Sequence, residues 1–222
     1  MTKREVLALI EEAGVIPSLR LHSAEDTLFA AEALADGGIP IVEIPLTVPG
    51  ATGVIQNLAK RRPEIVAGAG TVYDLEAAER CLDAGAAFLT SPGLDVKVVE
   101  FGVKRGVAML PGALTPTEVI MARKAGADVV KIFPCAQVGG PSYIKALKAP
   151  FPDVPLMASG GVNQQTVAEF FVAGAVAVGV GANLIQPEAI HRREPGWIKQ
   201  LAQRYLSLVR QGRDRRKPYV TA

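Results

Sequence analysis

A short apolar run, Ala127-Asp-Val-Val-Lys-Ile-Phe-Pro134, carries one lysine at its centre. Successive strand residues point to opposite faces, so Lys131 shares a face with Val129 and Phe133 while Val130 and Ile132 take the other. A strand apolar on both faces belongs to a helix-covered parallel sheet, which places the Lys131 ammonium inside the protein. Desolvation favours the neutral amine, the form that attacks a carbonyl and builds a Schiff base. The structural alternative at this position is a core lysine tied into an ion pair, or a strand misread so that the lysine reaches solvent.

Glu43 poses the same problem inside Ile41-Val-Glu-Ile-Pro-Leu46, an isolated charge in an apolar strand. A carboxylate and a lysine facing one cavity would make a covalent catalyst with its proton carrier, or else a buried salt bridge. Burial lowers the pKa of Lys131 and a nearby Glu43 raises it, and sequence does not say which effect wins.

Positioning both residues requires strands, and eight β-rich runs can be marked: 16–21, 41–48, 65–72, 88–94, 108–114, 129–135, 155–162 and 177–184. Helical segments lie between them. Ser23-Ala-Glu-Asp26 and Thr115-Pro-Thr-Glu118 read as capping boxes, and Asp74, Asp95 and Asn163 as N-caps. Glycines mark the helix ends. Strand then helix, eight times over, predicts an α/β fold, a (β/α)₈ barrel with an extra N-terminal helix, about Lys3 to Ala13, across its bottom. An open doubly wound sheet is the rival. Its dinucleotide signature is missing, because Gly68-Ala-Gly70 is followed by Tyr73 where a third glycine is needed.

The 222 residues fit one domain, with 211–222 as a basic, solvated tail. A net charge of +2 does not call for nucleic acid, and two cysteines give no disulfide framework, which suits a reducing cytoplasm. Met1-Thr-Lys-Arg4 does not open a secretory peptide, and the weakly polar stretch from Phe170 to Ile185 is too short to span a membrane, reading as helix end, turn and strand. With only His22 and His191 available, metal-dependent chemistry has few ligands.

Catalytic groups of such barrels sit at the C-terminal strand ends. There the sequence offers Arg20, Glu43 with Thr47, Thr71, Ser91-Pro92, Pro111, Lys131, Ser159-Gly160-Gly161 and Gly181-Ala182-Asn183. Glycines at the last two ends allow a phosphate to approach the backbone, although tight turns alone would also select them.

Seven ordered motifs, Glu43-Ile-Pro-Leu-Thr-Val-Pro49, Gly68-Ala-Gly-Thr71, Ser91-Pro-Gly93, Leu110-Pro-Gly112, Val130-Lys-Ile-Phe-Pro134, Tyr143-Ile-Lys-Ala-Leu-Lys148 and Ser159-Gly-Gly161, resemble those of the 2-keto-3-deoxy-6-phosphogluconate (KDPG) and 4-hydroxy-2-oxoglutarate aldolase family, which includes the phosphogalactonate enzymes. The resemblance implies a class I lyase without metal or other cofactor, usually a homotrimer, that acts on a small 2-keto acid. It assigns Lys131 as Schiff-base lysine, Glu43 as acid/base, Thr71 to the pyruvate carboxylate, Pro92 to the pyruvyl pocket, and Gly160 and Gly161 to phosphate. Phe133 would wall the imine, Gly181 would admit the phosphate, and Arg20 matches an arginine of the first strand. Thr47 stands where some members have a carboxylate-gripping arginine, Ser159 where threonine is common, and Ala182 where a phosphate-binding serine is common. Losing one hydrogen bond to a charged group costs on the order of 1.5–3 kcal/mol, which puts phosphate dependence in question. An epimerase or isomerase barrel, a metal-dependent aldolase and a catalytically idle trimeric scaffold are the competing readings.

Overall fold

The computed structural model describes residues 1–216. Nine parallel strands run through it: β1 (Val15–Pro17), β2 (Ile41–Pro45), β3 (Val66–Gly70), β4 (Phe88–Thr90), β5 (Ala108–Leu110), β6 (Gly112–Ala113), β7 (Val130–Ile132), β8 (Leu156–Ser159) and β9 (Ala177–Val180). They pair in the orders β1-β9-β8-β7-β6 and β2-β3-β4-β5. Every residue in them is buried, as expected when one face looks into a barrel and the other meets helices.

Two joins close the ring into a barrel. Ser18 and Glu43 form a parallel bridge, with the Leu19 N–H donating to the Glu43 carbonyl at 2.9 Å, which links β1 to β2. β5 and β6 are one run interrupted by Pro111, whose ring removes a ladder N–H while its carbonyl accepts from Lys131 N at 2.9 Å. The eight expected runs therefore appear as nine strands. The expected runs also overshoot at their C-terminal ends: 41–48 stops pairing at Pro45 and 155–162 at Ser159. Residues beyond those points leave the ladder to form the mouth.

Helix α1 (Lys3–Ala13) has a reciprocal Thr2–Glu5 capping box and packs against β1, β2, β5 and β9, with Lys3 paired to Asp128 at 2.8 Å. It is the expected extra helix. The outer layer comprises α2 (Ala24–Asp36), α3 (Ala51–Arg61), α4 (Leu75–Asp83), α5 (Val96–Lys104), α6 (Pro116–Lys124), α7 (Pro141–Lys148), α8 (Val167–Val172), α9 (Pro187–His191) and α10 (Pro195–Arg215). Thr115 heads a full capping box on α6, and Asp74 and Asp95 cap α4 and α5. Ser23 caps α2 by accepting from Asp26 N at 3.0 Å, but without the reciprocal bond, so it is a simple cap.

Two further local expectations are revised. Asn163 is not the cap of α8, because its side chain accepts from Gln165 N and Thr166 N and closes a turn before that helix starts. The basic residues 211–215 are the last turn of α10 rather than a solvated tail. There Gly212 lies against Ala168 and Phe171, Arg213 donates to the Glu12 carbonyl at 2.9 Å and stacks on Phe171 at 5.2 Å, and Arg215 pairs with Glu169 at 2.8 Å. Residues 217–222 of the expected tail lie outside the described residues. The stretch 170–185 divides as anticipated into the end of α8, a turn and β9.

A Cβ on Gly112 would come 2.3 Å from the backbone of Pro92, which cannot yield cheaply. Gly112→Ala is expected to cost about 1–3 kcal/mol and lower Tm. Gly53→Ala in α3, where the added carbon meets nothing, is expected to raise Tm by relieving a helical glycine. Paired melts read both signs.

Candidate active site

Lys131 is the middle residue of β7, opposite Gly112 of β6 and Met157 of β8. Glu43 is the middle residue of β2, opposite Gly68. They lie 88 positions apart in sequence, yet barrel closure brings Lys131 Nζ to 3.3 Å from Glu43 Oε2. Lys131 is 6% exposed and Glu43 2%. Glycine makes room for this carboxylate, since a Cβ on Gly70 would stand 2.3 Å from Glu43 Oε1.

Two hydroxyl groups complete the arrangement, and sequence inspection did not single out either. Thr90, the last residue of β4, donates to Glu43 Oε2 at 3.0 Å, and Lys131 Nζ lies 3.3 Å from the same hydroxyl. Ser18 donates to Glu43 Oε1 at 2.9 Å. The signal available for Thr90 was a polar side chain ending the apolar Phe88-Leu-Thr run, one residue before the Ser91-Pro92 pair. Ser18 was passed over for the charged Arg20 two residues on.

Burial alone would push the Glu43 carboxyl up. The Lys131 ammonium and the hydrogen bonds from Ser18, Thr90 and Lys131 more than offset this and hold it below the usual carboxylate range. Glu43 is thus a carboxylate at neutral pH, with an oxygen aimed at the lysine. An ion pair of this kind sets a proton acceptor within hydrogen-bond reach of an amine, the arrangement that a lysine nucleophile would require. Cys135, four residues on, is no competing nucleophile, because burial pushes its thiol up to about 12.

The remaining expected site residues surround the pair to different degrees. Phe133 places its ring centroid 5.7 Å from Lys131 Nζ. Thr71 follows β3 with φ 62, the left-handed region that non-glycine residues rarely adopt, and Val72 N donates to the Thr90 carbonyl. Pro92 is half-buried, with its backbone seated against Gly112. Ser159 is buried at the end of β8 with its hydroxyl over Gly179. Gly160 and Gly161 follow it at φ 86 and 81, a pair that side chains would strain. Their loop is tied to the one after β7 by Ala136 N donating to the Gly160 carbonyl at 3.0 Å.

Arg20 and Gly181 lie further out and line a cavity of about 490 Å³ that neither Lys131 nor Glu43 lines. Ser18 is the residue shared between this cavity and the pair. Thr47 is exposed in the loop after β2, and no hydrogen bond among the described residues ties its side chain to the pair.

The family model described as "KDPG and KHG aldolase" matches residues 6–201. The 2-dehydro-3-deoxy-phosphogluconate aldolase of Pseudomonas aeruginosa is 33% identical over 182 residues, 82% of each chain. A probable 2-dehydro-3-deoxy-6-phosphogalactonate aldolase of Rhizobium meliloti is 35% identical over 178 residues, 79% of this chain and 84% of its own. Among solved structures, the KDPG aldolase from Legionella pneumophila, with pyruvate captured at low pH as a covalent carbinolamine intermediate, superposes with a TM-score of 0.82 at 31% identity, covering 88% of this chain and 95% of its own. A buried lysine beside a buried carboxylate at the mouth of a parallel barrel, in a chain matched along most of its length by that family model, leads to one conclusion: the chain belongs to the KDPG and KHG aldolase family.

Proposed function

We propose that the chain is a class I aldolase that cleaves a 2-keto-3-deoxy-6-phosphogluconate-like acid, or a close 4-hydroxy-2-keto acid, to pyruvate and an aldehyde through a Schiff base on Lys131. The observation that carries this reading is the buried contact of Lys131 Nζ with Glu43 Oε2 at 3.3 Å, with the Thr90 hydroxyl against both.

The chemistry follows from that contact. Lys131 gives its proton to Glu43, and the free amine attacks C2 of the keto acid to form a carbinolamine. Loss of water leaves a protonated imine. Glu43, again a carboxylate, takes the proton of the C4 hydroxyl, the C3–C4 bond breaks, and its electron pair flows into the iminium to give an enamine while the aldehyde departs. Protonation at C3 and addition of water then release pyruvate and return the amine. Phe133 and Pro92 wall the imine, Thr71 orients the carboxylate, and the glycine pair after β8 offers backbone N–H groups to a phosphate. The chain acts without a cofactor, as a homotrimer in the cytoplasm.

The galactonate-type substrate differs at C4, and the Rhizobium relative supports keeping it as the second substrate reading. Among the described residues no three His, Cys, Asp or Glu side chains are grouped to hold an ion, and the chelator arm below tests the metal-dependent reading. No helix among them is long and apolar enough to cross a membrane.

Borohydride reduction in the presence of pyruvate is expected to fix a stable adduct on Lys131, found by peptide mass analysis. Wild-type protein that gives no adduct at saturating pyruvate would reject the proposal, and so would activity abolished by a chelator. Lys131→Arg keeps a cation beside Glu43 and is expected to fold, to give no adduct and to lose cleavage. Glu43→Gln is expected to slow pyruvate trapping and to lower cleavage about 10²–10⁴-fold.

The acid limb of the kcat/KM profile reports Glu43. Activity that needs the carboxylate is present above its folded pKa and lost as pH falls through it. Thr90→Val removes a hydrogen bond that lowers that pKa, so the acid limb is expected to move to higher pH, with Ser18→Ala moving it the same way. A profile unmoved in both variants would count against the carboxylate's role.

A further inference from the structure

Three side-chain atoms form a closed triangle inside the barrel. Lys131 Nζ donates to Glu43 Oε2 and to Thr90 Oγ1, each at 3.3 Å, and Thr90 Oγ1 donates to Glu43 Oε2 at 3.0 Å. These directions are forced, because an ionised carboxylate only accepts, an ammonium only donates, and the hydroxyl between them has one hydrogen to give. With that hydrogen committed to Glu43, the lone pairs of Thr90 Oγ1 are left for the nitrogen. Ser18 serves the other carboxylate oxygen, Oε1, and no hydrogen bond joins it to Lys131 among the described residues.

The strand ladder fixes where the Thr90 hydroxyl stands. Thr90 is 2% exposed, lies opposite Leu110 of β5, and accepts at its carbonyl from Val72 N at 3.1 Å. Its β-branched side chain has few χ1 choices on such a backbone, so the oxygen keeps its aim. Around Lys131 Nζ, Glu43 is the one charged group in contact among the described residues, and Phe133 presents a ring rather than an acceptor atom.

Condensation with a ketone changes what this nitrogen can donate. Of the three ammonium hydrogens, two leave in the expelled water and one stays on the protonated imine. In so closed an interior an unmet N–H is costly. If Glu43 accepted it, a base would sit on the proton that keeps the imine charged, and the same carboxylate is needed at the C4 hydroxyl. A neutral hydroxyl accepts the bond without removing the proton, and a hydrogen bond made to the charged form favours that form.

We propose that Thr90 Oγ1 is the acceptor for the imine N–H, holding the nitrogen protonated as the electron sink while Glu43 takes the C4 hydroxyl proton. The proposal rests on the aldolase reading and gives Thr90 a second role, distinct from its bond to Glu43. When C3–C4 breaks, its electrons form the C2–C3 double bond and the C2–N π pair returns to nitrogen. The nitrogen keeps its hydrogen, and its contact with Thr90, throughout.

Cyanoborohydride reduces a protonated imine and spares the neutral one, whereas borohydride reduces both. The ratio of the two trapping rates with pyruvate, followed over a pH series, therefore reads the charge on the nitrogen. Losing a bond to the protonated form lets the proton go at lower pH, so in Thr90→Val the ratio is expected to fall about tenfold or more in the alkaline range. Thr90→Ser keeps a hydroxyl and is expected to return the ratio to within about threefold of wild type. Ser18→Ala disturbs Glu43 alone and is expected to leave it within about twofold. A Thr90→Val ratio within about twofold of wild type at every pH overturns the proposal. An equal fall in Ser18→Ala overturns it too, since the effect would then belong to Glu43. Should the valine form not fold, Thr90→Ala carries the same reading. Wild-type protein that traps no pyruvate with either reagent rejects the aldolase reading and this role with it, whereas trapping with unchanged ratios rejects the Thr90 role alone.

Discussion

The ion pair between Lys131 and Glu43 sits where water cannot solvate either member, and this constraint governs most of what surrounds it. A lone ammonium or carboxylate in that interior would cost several kcal/mol, and leaving one partner unpaired costs about 3–5 kcal/mol. Each charge is therefore a condition for burying the other. Their attraction does not fill every lone pair, so Ser18 and Thr90 supply a hydroxyl to each carboxylate oxygen. Gly70 supplies the missing volume, because any side chain there would occupy the place of the carboxylate. Two strands besides β2 and β7, β3 and β4, together with Ser18 just past the end of β1, thus give up apolar packing to serve one pair.

Under the proposed function, the same constraint would set the reacting groups on strands and the recognition groups on loops. A Schiff base needs an amine that a neighbouring carboxylate can deprotonate within hydrogen-bond reach, and strand ladders hold such geometry more firmly than loops do. Recognition tolerates more variation. The left-handed Thr71 and the glycine pair after β8 both lie beyond the last ladder bonds, where the chain can change without disturbing the barrel. Ser18 joins the two regions, touching Glu43 on one side and the cavity lined by Arg20 and Gly181 on the other.

Much of this was legible in the amino-acid sequence. The alternation of apolar runs with capped helices specified a (β/α)₈ barrel, and the isolated charges of Lys131 and Glu43 marked themselves by standing in strands that are otherwise wholly apolar. Thr115 with Glu118, Asp74 and Asp95 each announced the start of a helix, because a cap is decided by residues three apart in the chain. Asn163 misled for the same reason: its side chain does satisfy nearby N–H groups, but those of a turn before α8.

Tertiary structure alone decided the rest. That Thr90 bonds both members of a pair whose positions lie 41 and 47 residues away follows from barrel closure, and no local pattern encodes it. A threonine hydroxyl costs little to bury compared with a charge, so nothing in its own segment advertised the role. The basic residues 211–215 read as a solvated tail by composition, yet α10 packs on α2 and α8 and finds them partners on α1 and α8. Sequence determines which residues cannot tolerate water or cannot do without it, because that depends on side-chain type and local period. Which distant residue answers each of them depends on how the sheet closes, and only the folded chain settles that.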